Sequence, residues 1–272
     1  MSRRPTRSPR SEAFSQHRLR DQSVAQRIIA STGLAPPALV IEAGAGDGML
    51  TVEITRHAGQ VVAVEQDRDC YARLRQRFRD DPRVRTVLTD FIAFELPTSR
   101  PYSVISNVPF AITARLIRKL LEAPRPPSSS FLVLQHEAAL QWTGDGGESV
   151  AGILAKLRFT FDITLALRRQ DFVPWPRVNS VVLAIRRRPQ PLLAGREARE
   201  FAALVERGFG RGRPSLRQNF GKAIQLARLM AAARELDFDF DSPPGELSFD
   251  QWLGLFRKVS RTRLPGQQGS SQ

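Results

Sequence analysis

Between residue 20 and about residue 170, short apolar runs alternate with stretches whose apolar residues recur at helical spacing. Leu39-Val40-Ile41, Val61 to Val64, Val84 to Leu88, Tyr102 to Ile105 and Phe131 to Leu134 are rich in branched and aromatic residues and predict strands. Leu50 to Ala58, Tyr71 to Phe78 and Ile112 to Leu121 predict the intervening helices. Asp21 caps an earlier helix through Val24, Ile28 and Ile29, with Gly33 ending it; Gly59 closes the next, and Pro124 to Pro127 break the chain again. Such alternation predicts a parallel sheet covered by helices on both faces. Thr160 to Leu167 and Val181 to Arg187 read as an antiparallel pair closing it. Around 186–193 the pattern becomes a basic, proline-containing linker, and only helical patterns follow, at roughly 197–209, 215–235 and 248–259. The expected organisation is a flexible basic arm (1–13), an α/β domain (14–188), a small all-helical domain (189–264) and a disordered tail (265–272).

Composition narrows the partners. The 272 residues are 42% hydrophobic, enough for a large core, and carry a net charge of +14. A basic excess of this size points to a polyanion. Lys occurs only at 119, 156, 222 and 258, so arginine carries the charge, and guanidinium suits phosphate contacts and base stacking. The single cysteine, Cys70, excludes an internal disulfide and a cysteine-rich metal site, as in a reducing cytosol. No apolar run approaches the roughly 18 residues that span a bilayer. No membrane association and a cytoplasmic location are therefore expected. The first fourteen residues lack the apolar segment of a secretory signal, and Pro5 and Pro9 argue against an amphipathic targeting helix.

Candidate chemistry sits at the carboxyl ends of the predicted strands, where ligands bind in open α/β sheets. The first strand runs into Glu42-Ala43-Gly44-Ala45-Gly46-Asp47-Gly48. A dinucleotide fingerprint would need glycine where Met49 stands, which weakens a nicotinamide reading. Glycines at alternate positions still let the backbone turn sharply and approach a ligand. S-adenosylmethionine, with no pyrophosphate and one carboxylate, suits such a loop opening a helix. Glu65 ends the second strand and can accept from both ribose hydroxyls; Asp90 ends the third and can accept from the cofactor's adenine amine, with Phe91 covering the ring. Three consecutive strand ends carrying this set point to the Rossmann-like sheet of the S-adenosylmethionine-dependent methyltransferases.

The fourth strand ends in Asn107-Val108-Pro109-Phe110. An adenine N6 amine is a weak nucleophile because its lone pair is delocalised into the ring. The Asn107 side-chain oxygen and the backbone carbonyl beside Pro109 can accept both N6 hydrogens and turn the lone pair toward a methyl donor. Proline fixes the loop and removes an unwanted donor, and Phe110 can stack on a base taken out of the RNA. Asn107, Pro109 and Phe110 are the candidate catalytic set.

With these motifs the chain resembles the ribosomal RNA adenine N6-methyltransferases, most closely their macrolide-lincosamide-streptogramin resistance (Erm) branch. The resemblance spans roughly residues 14–260. It rests on Ser15-Gln16, E-A-G-A-G-D-G, Val64-Glu65, Thr89-Asp90-Phe91, N-V-P-F, Phe172-Val173-Pro174-Trp175-Pro176-Arg177-Val178-Asn179-Ser180, and the late Phe249 to Phe256 stretch. It implies methyl transfer from S-adenosylmethionine to one adenine of 23S rRNA, naked or in an assembling large subunit, by a monomer, with macrolide resistance as the outcome. It also implies that Gly44, Gly46, Glu65, Asp90, Phe91 and Asn107 contact the cofactor or shape its pocket. His17 and Leu19 would join them from a family pattern S-Q-N-F plus an apolar residue, which here reads Ser15-Gln16-His17-Arg18-Leu19. His17 replaces the family's Asn and Arg18 its aromatic.

Arg186 to Arg188, Arg207, Arg211, Arg213, Arg217, Lys222 and Arg228 form the candidate RNA surface, and strongly salt-dependent binding is expected. Thr143-Gly144-Asp145-Gly146-Gly147 reads as a mobile loop near the site. Two other readings stay open: the sister branch that dimethylates adenines of small-subunit 16S rRNA, and a non-catalytic nucleic-acid-binding factor on the same fold.

Overall fold

Asp21 caps the first helix as its position in the sequence predicts: its carboxylate accepts from the backbone N–H groups of Ser23 (3.0 Å) and Val24 (3.3 Å). The computed structural model describes residues 17–34, 38–107, 110–210, 215–221 and 226–260. In chain order the elements are β1 (Arg18–Leu19), α1 (Gln22–Ala30), β2 (Leu39–Ala43), α2 (Met49–His57), β3 (Gln60–Glu65), α3 (Arg68–Arg77), β4 (Val84–Leu88), β5 (Ser103–Asn107), α4 (Thr113–Glu122) and β6 (Ser129–Gln135). They continue with α5 (His136–Thr143), α6 (Val150–Lys156), β7 (Phe159–Leu167), β8 (Phe172–Val173), β9 (Ser180–Arg187), α7 (Gly195–Phe209), α8 (Leu216–Phe220), α9 (Leu226–Glu235) and α10 (Phe249–Ser260).

The chain divides into two compact units, residues 1–139 with 160–187, and residues 140–159 with 188–272. The first holds a seven-stranded sheet in the order β4-β3-β2-β5-β6-β9-β7. Neighbours from β4 to β6 are parallel, and β9 runs antiparallel to β6. All five residues of β2 are buried, as expected of a strand covered on both faces, which explains the apolar run Leu39-Val40-Ile41. Val24, Ile28 and Ile29 of α1 and Leu50 and Ile54 of α2 pack on the sheet in one core cluster; Leu74 and Phe78 pack against Ala45 and Ala63 in another. After β4 the chain returns to the far side of β2 to lay down β5. The order therefore reverses between β2 and β5, and the crevice beyond their carboxyl ends is where such sheets bind ligands. A two-stranded antiparallel ribbon, β1 with β8, is separate from the sheet; it pairs Arg18 with Val173 and Leu19 with Phe172.

The second unit is helical and closes around Trp252, which is fully buried with Phe201, Val205, Leu216 and Phe220. Three expectations need correction. The segment 140–159, read as part of the α/β domain, belongs to this unit, because Ile153 and Leu157 bury their side chains in its core. The helical pattern at 215–235 is two helices, since Gly221 ends α8 with φ 54°, where an L-residue would be strained. The loop read as mobile, Thr143 to Gly147, is anchored: Lys156 Nζ donates to the Thr143 carbonyl (2.9 Å) and pairs with Glu148, whose carboxylate also accepts from Phe249 N–H (3.2 Å). The basic arm and the tail lie outside the described residues.

Among the described residues, no helix is long and apolar enough to cross a membrane, and no cluster of His, Cys, Asp and Glu could hold a metal ion.

Candidate active site

The loop after β2 turns sharply: Gly44, Gly46 and Gly48 have φ of 73°, 56° and 83°. Above Gly44 and Gly46 the space is open, whereas a Cβ at Gly48 would lie 2.7 Å from the Phe78 ring. The first two glycines thus leave room for a ligand, and the third serves packing of α2 on α3. The loop is held to the next strand, with Gly44 N–H and Ala45 N–H both donating to the Val64 carbonyl (2.9 and 3.0 Å). Beyond these strand ends lies an open cleft lined by Ala43, Gly44, Glu65, Asp90, Phe91 and Ile112, among others.

Glu65, at the end of β3, is buried, and three backbone N–H groups already use its carboxylate. Oε2 accepts from Gly46 (2.7 Å); Oε1 accepts from Gln66 (2.8 Å) and Asp67 (2.7 Å). A carboxylate offers about four lone-pair sites. One remains, on Oε2, so Glu65 in this arrangement can accept one ribose hydroxyl rather than the two expected from sequence. Asp90 is exposed after β4; Oδ1 accepts from Ile92 N–H (2.9 Å), which leaves Oδ2 for a ligand amine. Phe91 lines the cleft, its ring stacked on Phe94 at 6.0 Å with Lys119 Nζ 5.9 Å away. Burial holds the Lys119 ammonium below the usual lysine range, with Asp90 opposing.

Asn107 ends β5, and its Nδ2 donates to the His17 backbone carbonyl at 2.8 Å. The amide is thereby oriented, and Oδ1 remains an acceptor. The cleft lining includes its neighbour Ser106 and not Asn107 itself. Phe110 opens a short 3-10 turn, and its ring centroid is 5.3 Å from that of His17. Val108 and Pro109 lie outside the described residues. His17 therefore meets both ends of the N-V-P-F motif. Its Nδ1 is 2.9 Å from the Pro174 carbonyl, which can only accept, so Nδ1 carries the proton. Leu19 is placed differently: its side chain is buried in the main core beside Phe172, and any ligand contact would have to come from its backbone.

Several contributors were not singled out in the sequence. Ser106 Oγ donates to the Ala43 carbonyl (2.7 Å), tying β5 to β2 under the glycine loop. Asp47 collects three arginines: Arg18 Nη1 and Arg73 Nε, both at 2.7 Å, on its carboxylate, and Arg77 Nη1 at 3.1 Å on its carbonyl. Arg18 thus links the N-terminal segment to the glycine loop. Its charge and that of Asp47 were the available signals. Beneath the loop, burial pushes the Glu42 carboxyl up to about 8; the hydrogen bond from Thr51 opposes this, and Glu65 adds to it.

Several arginines of the candidate RNA surface have protein partners. Arg211, Arg213 and Lys222 lie outside the described residues. Arg217 binds both oxygens of Asp241, Arg186 pairs with Asp162, and Arg188 Nε and Arg207 Nη2 donate to backbone carbonyls. Arg187 and Arg228 are exposed.

Comparison with known proteins places this geometry among relatives. The family described as "Ribosomal RNA adenine dimethylase" matches residues 9–260. An rRNA adenine N-6-methyltransferase of Aeromicrobium erythreum is 34% identical over 251 residues, covering 91% of this chain and 73% of that protein. The ribosomal RNA small subunit methyltransferase A of Synechococcus sp. (strain JA-3-3Ab) is 34% identical over 254 residues, covering 89% and 90%. Among solved structures, the 23S rRNA methyltransferase ErmE superposes with a TM-score of 0.83 at 30% identity, covering 89% of this chain and 99% of that one. A dimethyladenosine transferase from Plasmodium falciparum, at 20% identity and a TM-score of 0.71, shares the fold.

Proposed function

The chain belongs to the ribosomal RNA adenine dimethylase family, and from that premise we propose that it transfers methyl from S-adenosylmethionine to the N6 amine of one adenine in 23S rRNA, giving macrolide-lincosamide-streptogramin B resistance. The observation that carries this reading is the hydrogen bond from Asn107 Nδ2 to the His17 carbonyl. It brings the N-terminal segment onto the N-V-P-F motif and leaves the Asn107 oxygen as the acceptor that an adenine amine needs.

The cofactor fits the residues present. Open space lies above Gly44 and Gly46, one lone pair is left on Glu65 Oε2, and Asp90 Oδ2 and the Phe91 ring lie at the cleft. When bound, S-adenosylmethionine supplies an electrophilic methyl on a sulfonium. The chain's own groups do the rest by orientation. Asn107 Oδ1, and the carbonyl beside Pro109, accept the two N6 hydrogens, while Phe110 replaces the stacking the base loses on leaving the RNA. Catalysis of this kind comes from placing partial negative charge beside the developing ammonium.

The proposed working state is a cytoplasmic monomer acting on naked 23S rRNA or an assembling large subunit, with exposed arginines contacting phosphates. Support for 23S over 16S is the likeness to ErmE. A second reading, small-subunit rRNA as the substrate, draws support from the Synechococcus relative of equal identity. Labelled S-adenosylmethionine incubated with 23S or 16S rRNA, followed by mapping of reverse-transcription stops, separates the two. Label confined to 16S rRNA would move the assignment to the sister activity, and no label in either would remove the proposal.

A further inference from the structure

The turn after β8 carries an aromatic side chain that the chemistry above leaves unused. Trp175 is 62% exposed, and Val173, two residues before it, is 52% exposed. Among the described residues only one other large hydrophobic, Leu88, is exposed to a comparable degree. The other two tryptophans differ: Trp252 is fully buried and Trp142 half-buried. The turn is nonetheless built firmly. Phe172 on one side is buried in the main core, Pro176 on the other is buried, and Arg169 Nε donates to the Pro176 carbonyl at 2.7 Å. Trp175 is therefore presented outward by a supported backbone.

Its position connects it to the candidate base pocket. The carbonyl of Pro174, the residue just before it, accepts from His17 Nδ1 at 2.9 Å, and the His17 carbonyl accepts from Asn107 at 2.8 Å. Two hydrogen bonds thus join the backbone beside Trp175 to the amide proposed to hold the target amine. The surroundings are cationic: Arg168, Arg169 and Arg177 are exposed, and the nonamer 172–180 contains no acidic residue. Asp171, just before it, is buried and paired with Arg27 at 3.0 Å.

An exposed indole flanked by guanidinium groups suits one ligand chemistry, an unstacked nucleobase on a phosphate backbone. Taking one adenine out of a strand leaves its neighbours without a stacking partner. Resting on the methyltransferase reading above, we propose that Trp175 is a stacking subsite for a base of the RNA strand adjacent to the methylated adenine. It binds substrate and takes no part in the transfer. Stacking tolerates any base, so the subsite contributes affinity and register more than sequence choice.

The test is steady-state kinetics of the full chain with Trp175→Ala and Trp175→Phe, on the rRNA that the wild-type protein labels, with melting temperatures recorded in parallel. Trp175→Ala should raise KM for RNA by roughly tenfold or more, leave KM for S-adenosylmethionine and the melting temperature unchanged, and be largely rescued by Trp175→Phe. An unchanged KM for RNA overturns the inference. So does a lowered melting temperature or altered sedimentation with RNA binding intact, because the indole would then be covered by the chain's own first residues or by a second copy. Failure of the wild-type protein to label any rRNA removes the parent reading. Labelling by wild type with no RNA effect in Trp175→Ala removes this inference alone.

Discussion

Asn107 donates its Nδ2 to the backbone carbonyl of His17 at 2.8 Å, not to any side chain. The contact does not depend on which side chain stands at position 17. Asn107→Ala should lower kcat by about 10²- to 10³-fold, as loss of a directed acceptor does elsewhere. His17→Ala keeps the carbonyl and should lose less than about tenfold, mainly through the lost contact with the Phe110 ring. Asn107→Asp keeps an acceptor but cannot donate to His17, and should lose activity nearly as far as the alanine variant. Single-turnover rates with saturating cofactor measure all three. Equal losses in His17→Ala and Asn107→Ala would mean that the His17 side chain, not its backbone, does the positioning.

Asp47 gathers Arg18 and Arg73 on its carboxylate, both at 2.7 Å. The Asp47 carboxylate holds the Arg73 guanidinium above its ordinary range. The side chains are about half-exposed, so the pairs contribute little to stability, on the order of 1 kcal/mol or less. Their effect should appear in the site, because Arg18 follows His17 and Asp47 belongs to the glycine loop. Asp47→Ala is expected to raise KM for S-adenosylmethionine several-fold while moving the melting temperature by no more than a few degrees. A large fall in melting temperature with KM unchanged would make Asp47 a purely structural residue.

These two relationships show how far the sequence can be read. Strand ends were legible because parallel strands buried on both faces write themselves as apolar runs, and a glycine, an acid or an amide at each end stands out against them. Gly44, Glu65, Asp90 and Asn107 thus fall at or just beyond the carboxyl ends of four adjacent strands. What escaped were contacts that leave no local pattern. Strands β1 and β8 are two residues each and about 150 residues apart, too short to show periodicity. The occupation of Glu65 by Gly46, Gln66 and Asp67 is a property of the folded loop, and no sequence spacing announces it. The motif marks the position of Leu19 and not that its side chain belongs to the core, which leaves only its backbone for a ligand. Segment 140–159 joins the helical unit through Ile153 and Leu157, whose partners lie beyond residue 190.

Glu42 offers a test through pH. Burial raises its carboxyl in the folded chain to about 8, against roughly 4.3 in an unfolded one. The folded state therefore holds this proton over a window in which the unfolded state has lost it. The stability contributed by the protonated form is complete below the unfolded value and is lost as pH rises toward 8. Gln keeps a carbonyl to accept from Thr51 Oγ1, now 2.5 Å from Glu42 Oε2, and carries no charge. Glu42→Gln should melt at the same temperature as wild type near pH 4 and several degrees higher above pH 8. Melting curves of both proteins between those limits check this, and parallel curves would show that Glu42 titrates normally.

Gly208, in the helical unit, is set by packing rather than by backbone conformation. A Cβ there would sit 2.2 Å from Cη2 and 2.9 Å from Cζ3 of Trp252. The indole cannot move aside: it is fully buried, stacks with Phe209 at 5.8 Å, and donates Nε1–H to the Pro244 carbonyl at 3.2 Å. Gly208→Ala should therefore destabilise the protein by about 1–3 kcal/mol, the usual cost of overpacking, despite alanine's better helix propensity. Trp252→Phe alone should also destabilise, through a cavity and an orphaned carbonyl. Combined, the two changes should be less harmful than their sum, because the smaller ring vacates the space that the new methyl needs. A double-mutant cycle in urea measures the coupling. Additive losses would mean that helix α7 shifts to accommodate the methyl, and that close approach to Trp252 is not why glycine stands at 208.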